Sequence, residues 1–430
     1  MDEGALTARL REHAPRHSVP GATLGILRNG ETMTACYGVA DITTGEPVTP
    51  DTRFSPGSLT KSMVATVIMR LTSTGRLSLD DPAAFHVPEL RTAGWAGSAT
   101  LRDLLANRAR IPLRAGLEFG FADRTGTDAG ALARLVADAA PEAPSTAAWS
   151  YANLGWCILG RAIETATGMT WEDAMRRHLI DPAGMHATVF ATGEAPVQRA
   201  SGHCVSPPDG PVPVEPLVSR AYGPAGTTTL STAPDLLRFA GLHLDDPALA
   251  PLRRAHSDTA IHGWLDRWCL GWAQFDWDRG PVSGWDGMIT GERSVLRLMP
   301  AQRAAVVLLT NSGAGRALYR GLFPELMRAA FGVGMPPLRL DPVPAMPGDL
   351  ARFAGTYAWP DRRIDVTATG DGLRITGEEI DAVAMPIDGR AFLVDPADPD
   401  GPTVTFGAFD SAGRPHVLYD VLWGLPRVGG

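Results

Sequence analysis

Apolar residues fall at Leu6, Leu10 and Ala14, a helical spacing that predicts an amphipathic helix over residues 3–14, ended by Pro15 and Pro20. The period then shortens. Ala22 to Arg28 and Glu31 to Ala40 read as two strands joined by Asn29-Gly30, a pair suited to the positive φ angles of a type I′ turn. Met63, Val67 and Leu71 restore helical spacing over Thr60 to Thr74, and Gly75 supplies the stop. Ser58 therefore stands at or just before a helix start. From about 80 to 260 the pattern is helix and loop, with helices predicted over Leu101 to Asn107, Ala131 to Ala139, Asn153 to Thr167, Trp171 to His178 and Ala233 to Leu242. Strand patterning returns at Trp268 to Trp277, Ser294 to Leu298 and Ala304 to Thr310, and Ala317 to Phe331 closes the segment as a helix.

A hairpin first, helices in the middle and strands ending in a helix predict an α+β fold. One antiparallel sheet is built from both ends of residues 1–335, flanked by helices and joined by a mostly helical subdomain. Prolines 336, 337, 342, 344 and 347 mark residues 336–348 as a linker. Over 349–430 short alternating segments recur at Arg363 to Ala368, Gly372 to Thr376, Phe392 to Asp395, Thr403 to Phe409 and Pro415 to Leu422. With turns rich in Gly, Asp and Pro, they predict a small all-β barrel or sandwich.

Composition narrows the function. The 430 residues are 44% apolar and 20% charged, enough for a large core, and the net charge of −8 comes with scattered arginines. Neither nucleic acid nor an anionic membrane is an expected partner. The first residues show no basic stretch leading into an apolar run, and nowhere do eighteen apolar residues adjoin, so a cytoplasmic location is expected. Cys36, Cys157, Cys204 and Cys269 lie far apart without a CxxC pair and read as reduced, partly buried thiols. His13 and His17 are interrupted by Pro15 and lack a completing carboxylate, so no metal site is expected, and no phosphate-binding glycine loop or other cofactor signature occurs.

Of the 39 basic residues, 38 are Arg and one is Lys, at position 61. A GC-rich coding bias would replace Lys by Arg wherever charge and an aliphatic stem suffice. A lysine surviving that pressure does something arginine cannot, and arginine cannot give up a proton near neutral pH. Ser58-Leu59-Thr60-Lys61 puts hydroxyl and amine three residues apart on one helix face. A lysine desolvated and placed beside other cations can have its pKa lowered far enough to take the serine proton. Tyr151-Ala152-Asn153 precedes the apolar run Leu154 to Thr167. Tyr151 could relay protons there, and Asn153 could hold a substrate carbonyl or orient Lys61. Trp285-Asp286-Gly287 is rich in glycine on both sides, which would let a strand edge approach a ligand backbone.

These three elements in this order resemble the motifs of the serine β-lactamase and penicillin-binding-protein superfamily over about residues 15–330, most closely its class C branch with the family VIII esterases. Pro47 to Phe54 (PVTPDTRF), Gly75 to Pro82 (GRLSLDDP), Pro224-Ala225-Gly226 and Leu309-Thr310-Asn311 support the likeness. Phe353 to Tyr357 (FAGTY) is similar to the opening of the lipocalin-like barrel that follows this domain in several relatives. The resemblance implies that Ser58 is acylated, Lys61 activates it and Tyr151 moves protons to the leaving group and from the incoming nucleophile. It further implies an oxyanion hole formed by the backbone N–H groups of Ser58 and Met288, with Asn153 and Gly287 lining the cleft.

Two departures shape the expected substrate. Trp285 stands where lactamases carry the lysine of Lys-Thr-Gly, so the cation that grips a lactam carboxylate is missing, as in ester-using members. Asn107 to Arg114 (NRARIPLR) replaces a common His-Thr-Ser-Gly-Leu-Pro stretch; Arg114 either faces the acyl group and holds an anionic or carbonyl-rich substrate, or is a solvated loop residue.

No G-x-S-x-G pentapeptide exists to support a conventional hydrolase serine. Cytoplasmic relatives of this kind include statin-pathway acyltransferases, the capuramycin-type transacylase and penicillin-binding-protein-type thioesterases. The leading expectation is thus an ATP-independent transacylase of antibiotic biosynthesis, passing an acyl group from a small-molecule or peptide-like donor to an amine or alcohol. The alternatives are an esterase or D-amino-acid peptidase using the same site, and a non-catalytic binding protein, which would be expected to have lost Ser58, Lys61 or Tyr151.

Overall fold

The computed structural model describes the chain except for residues 1, 92–96, 110, 112–127, 139–148, 193–196, 207–209, 217, 338–341, 344–349, 360–361, 379, 396–400 and 430. At the first turn, Asn29 and Gly30 take φ of 51° and 87°, and the strands Gly21–Arg28 and Glu31–Gly38 pair antiparallel on either side. This hairpin forms one edge of a seven-stranded antiparallel sheet. Next to Gly21–Arg28 come Ala304–Thr310, Glu292–Met299, Gly280–Ile289, Ala273–Trp277 and Arg267–Trp268, in that order.

Ala304–Thr310 is buried along its whole length, because both sheet faces are covered. Val306 and Leu308 point to one face, where the helices Glu3–His13 and Gly315–Phe331 bring Leu6, Leu10, Leu322 and Leu326. Val307 and Leu309 point to the other, where the helix Ala233–Asp245 brings Leu237 and Phe239. Beyond that helix lies the helical part, with Thr60–Ser73 packed against Asn153–Thr167 at the centre.

Several elements differ from the sequence expectation. Trp268 to Trp277 is two strands, because Cys269 N–H bonds the Trp272 carbonyl at 2.7 Å in a tight turn with Gly271 at φ 81°. The helix from Leu101 stops at Leu105, and Asn107 has already turned to φ 53°. The helix from Trp171 is regular only to Met175 and continues as a wider turn over Arg176–Ile180. The strand edge expected at the Trp285 motif belongs to the longest strand of the sheet, Gly280–Ile289, whose full extent the periodicity does not predict, since its glycines and proline hide the alternation. Four free cysteines are present, but Cys204 is exposed rather than partly buried.

The C-terminal strands Gly355–Trp359, Arg362–Ala368, Leu373–Gly377, Asp381–Pro386, Ala391–Leu393, Thr403–Phe409, Pro415–Asp420 and Trp423–Val428 close into a barrel, the last pairing with the first. Phe353, Tyr357, Phe392 and Phe406 fill its interior. Pro415 to Leu422 is not one strand but a strand and the turn of a hairpin, and from this hairpin Val417, Tyr419 and Leu422 pack into the core that surrounds the helical part. Among the described residues no helix is long and apolar enough to cross a membrane.

Leu322 is fully buried between helix and sheet. Leu322→Ala is expected to lower the unfolding free energy by about 2–5 kcal/mol, read from the shift of the urea midpoint at unchanged slope.

Candidate active site

Ser58 lies in the single tight turn Gly57–Leu59 that runs directly into the helix Thr60–Ser73, so its N–H belongs to a helix start and has no partner within the helix. The turn is held by the sheet. Ser294 Oγ donates to the Pro56 carbonyl at 2.7 Å, and the Ser55 N–H donates to Glu292 Oε2 at 2.6 Å. Glu292 is 1% exposed and its charge is met by Arg199. Backbone touches backbone here. A Cβ on Gly287 would stand 1.9 Å from the Pro56 oxygen, and one on Gly57, whose φ is 50°, would stand 2.7 Å from the Met288 nitrogen. The motif glycine therefore serves the approach of the strand Gly280–Ile289 to the serine turn, where the Met288 backbone lies against Gly57, the residue before Ser58.

Lys61, in the first turn of the helix, is fully buried, with Nζ 3.0 Å from Ser58 Oγ and donating to the Ala225 carbonyl at 2.6 Å. Burial lowers its amine from an ordinary value of 10.5 to about 7, against a smaller opposite push from the neighbouring Cys157. The expected help from other cations is absent from this balance; desolvation is the cause. The Tyr151 ring lies 5.0 Å from Nζ, and its hydroxyl is hydrogen-bonded with Ser58 and accepts from Trp285 Nε1 at 3.3 Å. Burial pushes the phenol pKa well up, the two hydrogen bonds offsetting only part of it. At neutral pH the tyrosine is a phenol and the lysine a titrating amine, so the two differ in protonation state.

Trp285 is 2% exposed and packs against Tyr151 at 5.5 Å and Trp268 at 4.9 Å between ring centroids. Strand alternation sends the next side chain the other way. Asp286 bonds Arg297 at 2.6 Å, and Arg297 in turn reaches the Tyr319 hydroxyl at 3.1 Å. Position 285 thus presents an indole to the tyrosine, and position 286 a carboxylate to the opposite face. Met288 follows, 59% exposed.

Ser58, Lys61, Tyr151 and Trp285 are brought together, with Gly287 and Met288 joined through backbone. Asn153 opens the helix Asn153–Thr167 just past Tyr151 and is half-buried. Arg114 lies outside the described residues. Among the described residues no group of His, Cys, Asp and Glu could hold a metal ion. Three contributors carried no chemical signal in sequence: the Ala225 carbonyl, Glu292 and Ser294. A backbone acceptor is invisible to residue type, although Pro224-Ala225-Gly226 stood out as a phrase.

The Beta-lactamase family profile matches residues 6–330 of the chain. Penicillin-binding protein 4 of Amycolatopsis lactamdurans is 35% identical over 364 residues, 79% of this chain and 93% of that one. The crystal structure of SurE superposes with a TM-score of 0.80 at 30% identity over 99% of both chains, and SurE with D-Leu gives 0.79 at 29%, also over 99% of each. The D-amino acid amidase of Ochrobactrum anthropi SV3, at 22% identity and a TM-score of 0.66, covers 76% of this chain and 99% of its own and shares the fold. A sheet assembled from residues 21–38 and 267–310 and a serine turn leading into a helix accompany this agreement; the chain belongs to the Beta-lactamase family of serine acyl-transfer enzymes and penicillin-binding-protein-like members.

Proposed function

We propose that this enzyme moves an acyl group from an ester, thioester or amide donor to an amine or alcohol through an acyl-enzyme on Ser58. The observation that carries the reading is the buried Lys61 amine, lowered to about 7 and 3.0 Å from Ser58 Oγ. Ser58 Oγ bonds to the donor carbonyl carbon while its proton passes to Lys61 Nζ. Negative charge on the carbonyl oxygen is met by the N–H groups of Ser58 and Met288. As the tetrahedral intermediate collapses, the leaving group takes a proton from Tyr151, which is replenished from Lys61. The acceptor then attacks the acyl carbon and its proton returns along the same path, freeing Ser58. Tyr151 can donate because burial keeps it protonated.

The acceptor side is walled by Trp285 and Tyr151, with Trp268 behind them, an aromatic setting that suits an organic amine or alcohol. Similarity to SurE, whose structure with D-Leu is known, supports a substrate that carries a D-amino-acid residue; the peptide-like donor and the place in specialised-metabolite biosynthesis rest on the resemblance of the three sequence motifs to those of biosynthetic transacylases. Asn153 and Arg114 are proposed to hold the donor's carbonyl groups. Residues 1–335 carry the chemistry in this reading, 336–348 link, and 349–430 form an accessory unit.

Lys61→Arg keeps the charge but cannot accept a proton; mass spectrometry of the protein with p-nitrophenyl acetate should show the acetyl adduct on Ser58 forming at least ~10²-fold more slowly. Near-normal acylation by that variant would remove the base from the mechanism.

Because the neutral amine is the active form, kcat/KM should fall on the acid side of about pH 7. The same shift couples to stability. The folded pKa of Lys61 lies below its unfolded value of 10.5, so between about 7 and 10.5 the unfolded chain binds more protons and stability rises with pH. The slope from this group approaches about 1.4 kcal/mol per pH unit. Urea titrations across that range should show it in the wild type and show a correspondingly smaller rise in Lys61→Met.

Transfer is tested by supplying an activated D-aminoacyl ester with and without a panel of amines and weighing the products. Amide adducts are expected; free acid alone, whatever amine is offered, would make the enzyme a hydrolase with the same site.

A further inference from the structure

Tyr151 sits in an irregular segment, Trp149 to Ala152, whose backbone groups find no partner in a regular element of their own. They are held from two sides. The Ser150 N–H donates to the Asn107 carbonyl at 3.0 Å, within the helical part. The Tyr151 N–H donates at 3.1 Å to the Leu422 carbonyl, which belongs to the C-terminal barrel. The next residues of the barrel reinforce this bond. Gly424 N–H donates to Ser150 Oγ at 3.2 Å, and a Cβ on Gly424 would stand 2.5 Å from the Trp149 carbonyl oxygen, so the two backbones are in contact.

The accepting Leu422 carbonyl comes from a two-residue turn between the strands Pro415–Asp420 and Trp423–Val428. Its first residue, Val421, has φ of 55°, a conformation that costs a β-branched residue and persists where surrounding contacts fix it. The flanking side chains supply such contacts. Asp420 is paired with Arg362 on the neighbouring part of the barrel, and the Tyr419 ring lies 6.2 Å from the Trp149 ring. Trp149 packs on Trp268 at 5.8 Å, and Trp268 meets the Tyr151 ring edge-on at 6.1 Å. Backbone and rings thus lead from the barrel to the phenol by two routes.

We infer that this barrel hairpin, through the Leu422 carbonyl and Gly424, is a positioning element for Tyr151. The inference rests on the reading of Tyr151 as the proton-transfer group. Displacement of the phenol by about an ångström from Ser58 and the leaving group would cost on the order of 10²-fold in rate while leaving substrate binding largely in place.

Gly424→Ala inserts a methyl group between the hairpin and Trp149, and Ser150→Ala removes the acceptor of the Gly424 N–H without adding bulk. With p-nitrophenyl acetate, kcat should fall roughly 10- to 100-fold in Gly424→Ala and about threefold or more in Ser150→Ala, with KM within about threefold. Gly389→Ala, where a Cβ meets nothing within 4 Å, is the barrel control and should retain wild-type kcat. A purely structural hairpin would show lower melting temperatures but unchanged kcat in both variants assayed while folded, and that result overturns the inference. If Gly424→Ala fails to fold, Ser150→Ala decides: a lowered kcat supports positioning and a retained kcat overturns it. Tyr151→Phe separates the two levels. Retained activity there sinks the role of Tyr151 itself, whereas its loss together with intact Gly424→Ala and Ser150→Ala activity sinks only the hairpin's part.

Discussion

Keeping one lysine dry is the constraint around which this molecule is organised. A cation removed from water gains several kcal/mol by losing its proton, and the folded chain turns that penalty into chemistry by leaving the Lys61 amine with a serine hydroxyl, a peptide carbonyl and an aromatic ring as neighbours. No carboxylate stands among these contacts to hold the charge in place. The dryness comes from packing. The helix Thr60–Ser73 is buried from Thr60 to Ile68, with Asn153–Thr167 against it and the turn around Gly271 closing the remaining side, where Ser62 Oγ donates to the Gly271 carbonyl at 2.7 Å.

The same economy appears in the strand Gly280–Ile289. Successive residues face opposite sides of the sheet, so three adjacent positions take three unrelated tasks. Trp285 supports the phenol, Asp286 neutralises the buried Arg297 behind the sheet, and Gly287 gives up its side chain so that the strand can lie against the serine turn. A lysine at 285 would place a second ammonium near the first and raise the question of which one titrates. An indole N–H donates to the tyrosine without adding charge.

What could be read in sequence was what residue type and spacing encode. The opening hairpin, the helix Asn153–Thr167 and the strand Ala304–Thr310 follow from turn chemistry and periodicity. Ser58 and Lys61 follow from a three-residue spacing and a compositional oddity. Less legible was anything made by backbone or by distant pairing: the Ala225 acceptor, the Glu292 clasp on Ser55, the break at Gly271 and the docking of the barrel hairpin. Lys61 also owes its shift to burial rather than to neighbouring cations, because burial is a property of the whole fold that no local pattern records.

The central strand pair has a consequence for how the molecule comes into being. Ala22 is opposite Thr310 and Arg28 is opposite Ala304, so the first hairpin must wait for a segment made much later. Contacts of such long sequence separation are slow to form, because chain entropy is lost before they reward it. Until then the strand Ala304–Thr310, apolar along nearly its whole length, has no cover on either face. Its exposure on the way to the native state, rather than any weakness of the finished fold, is where this chain is most open to aggregation.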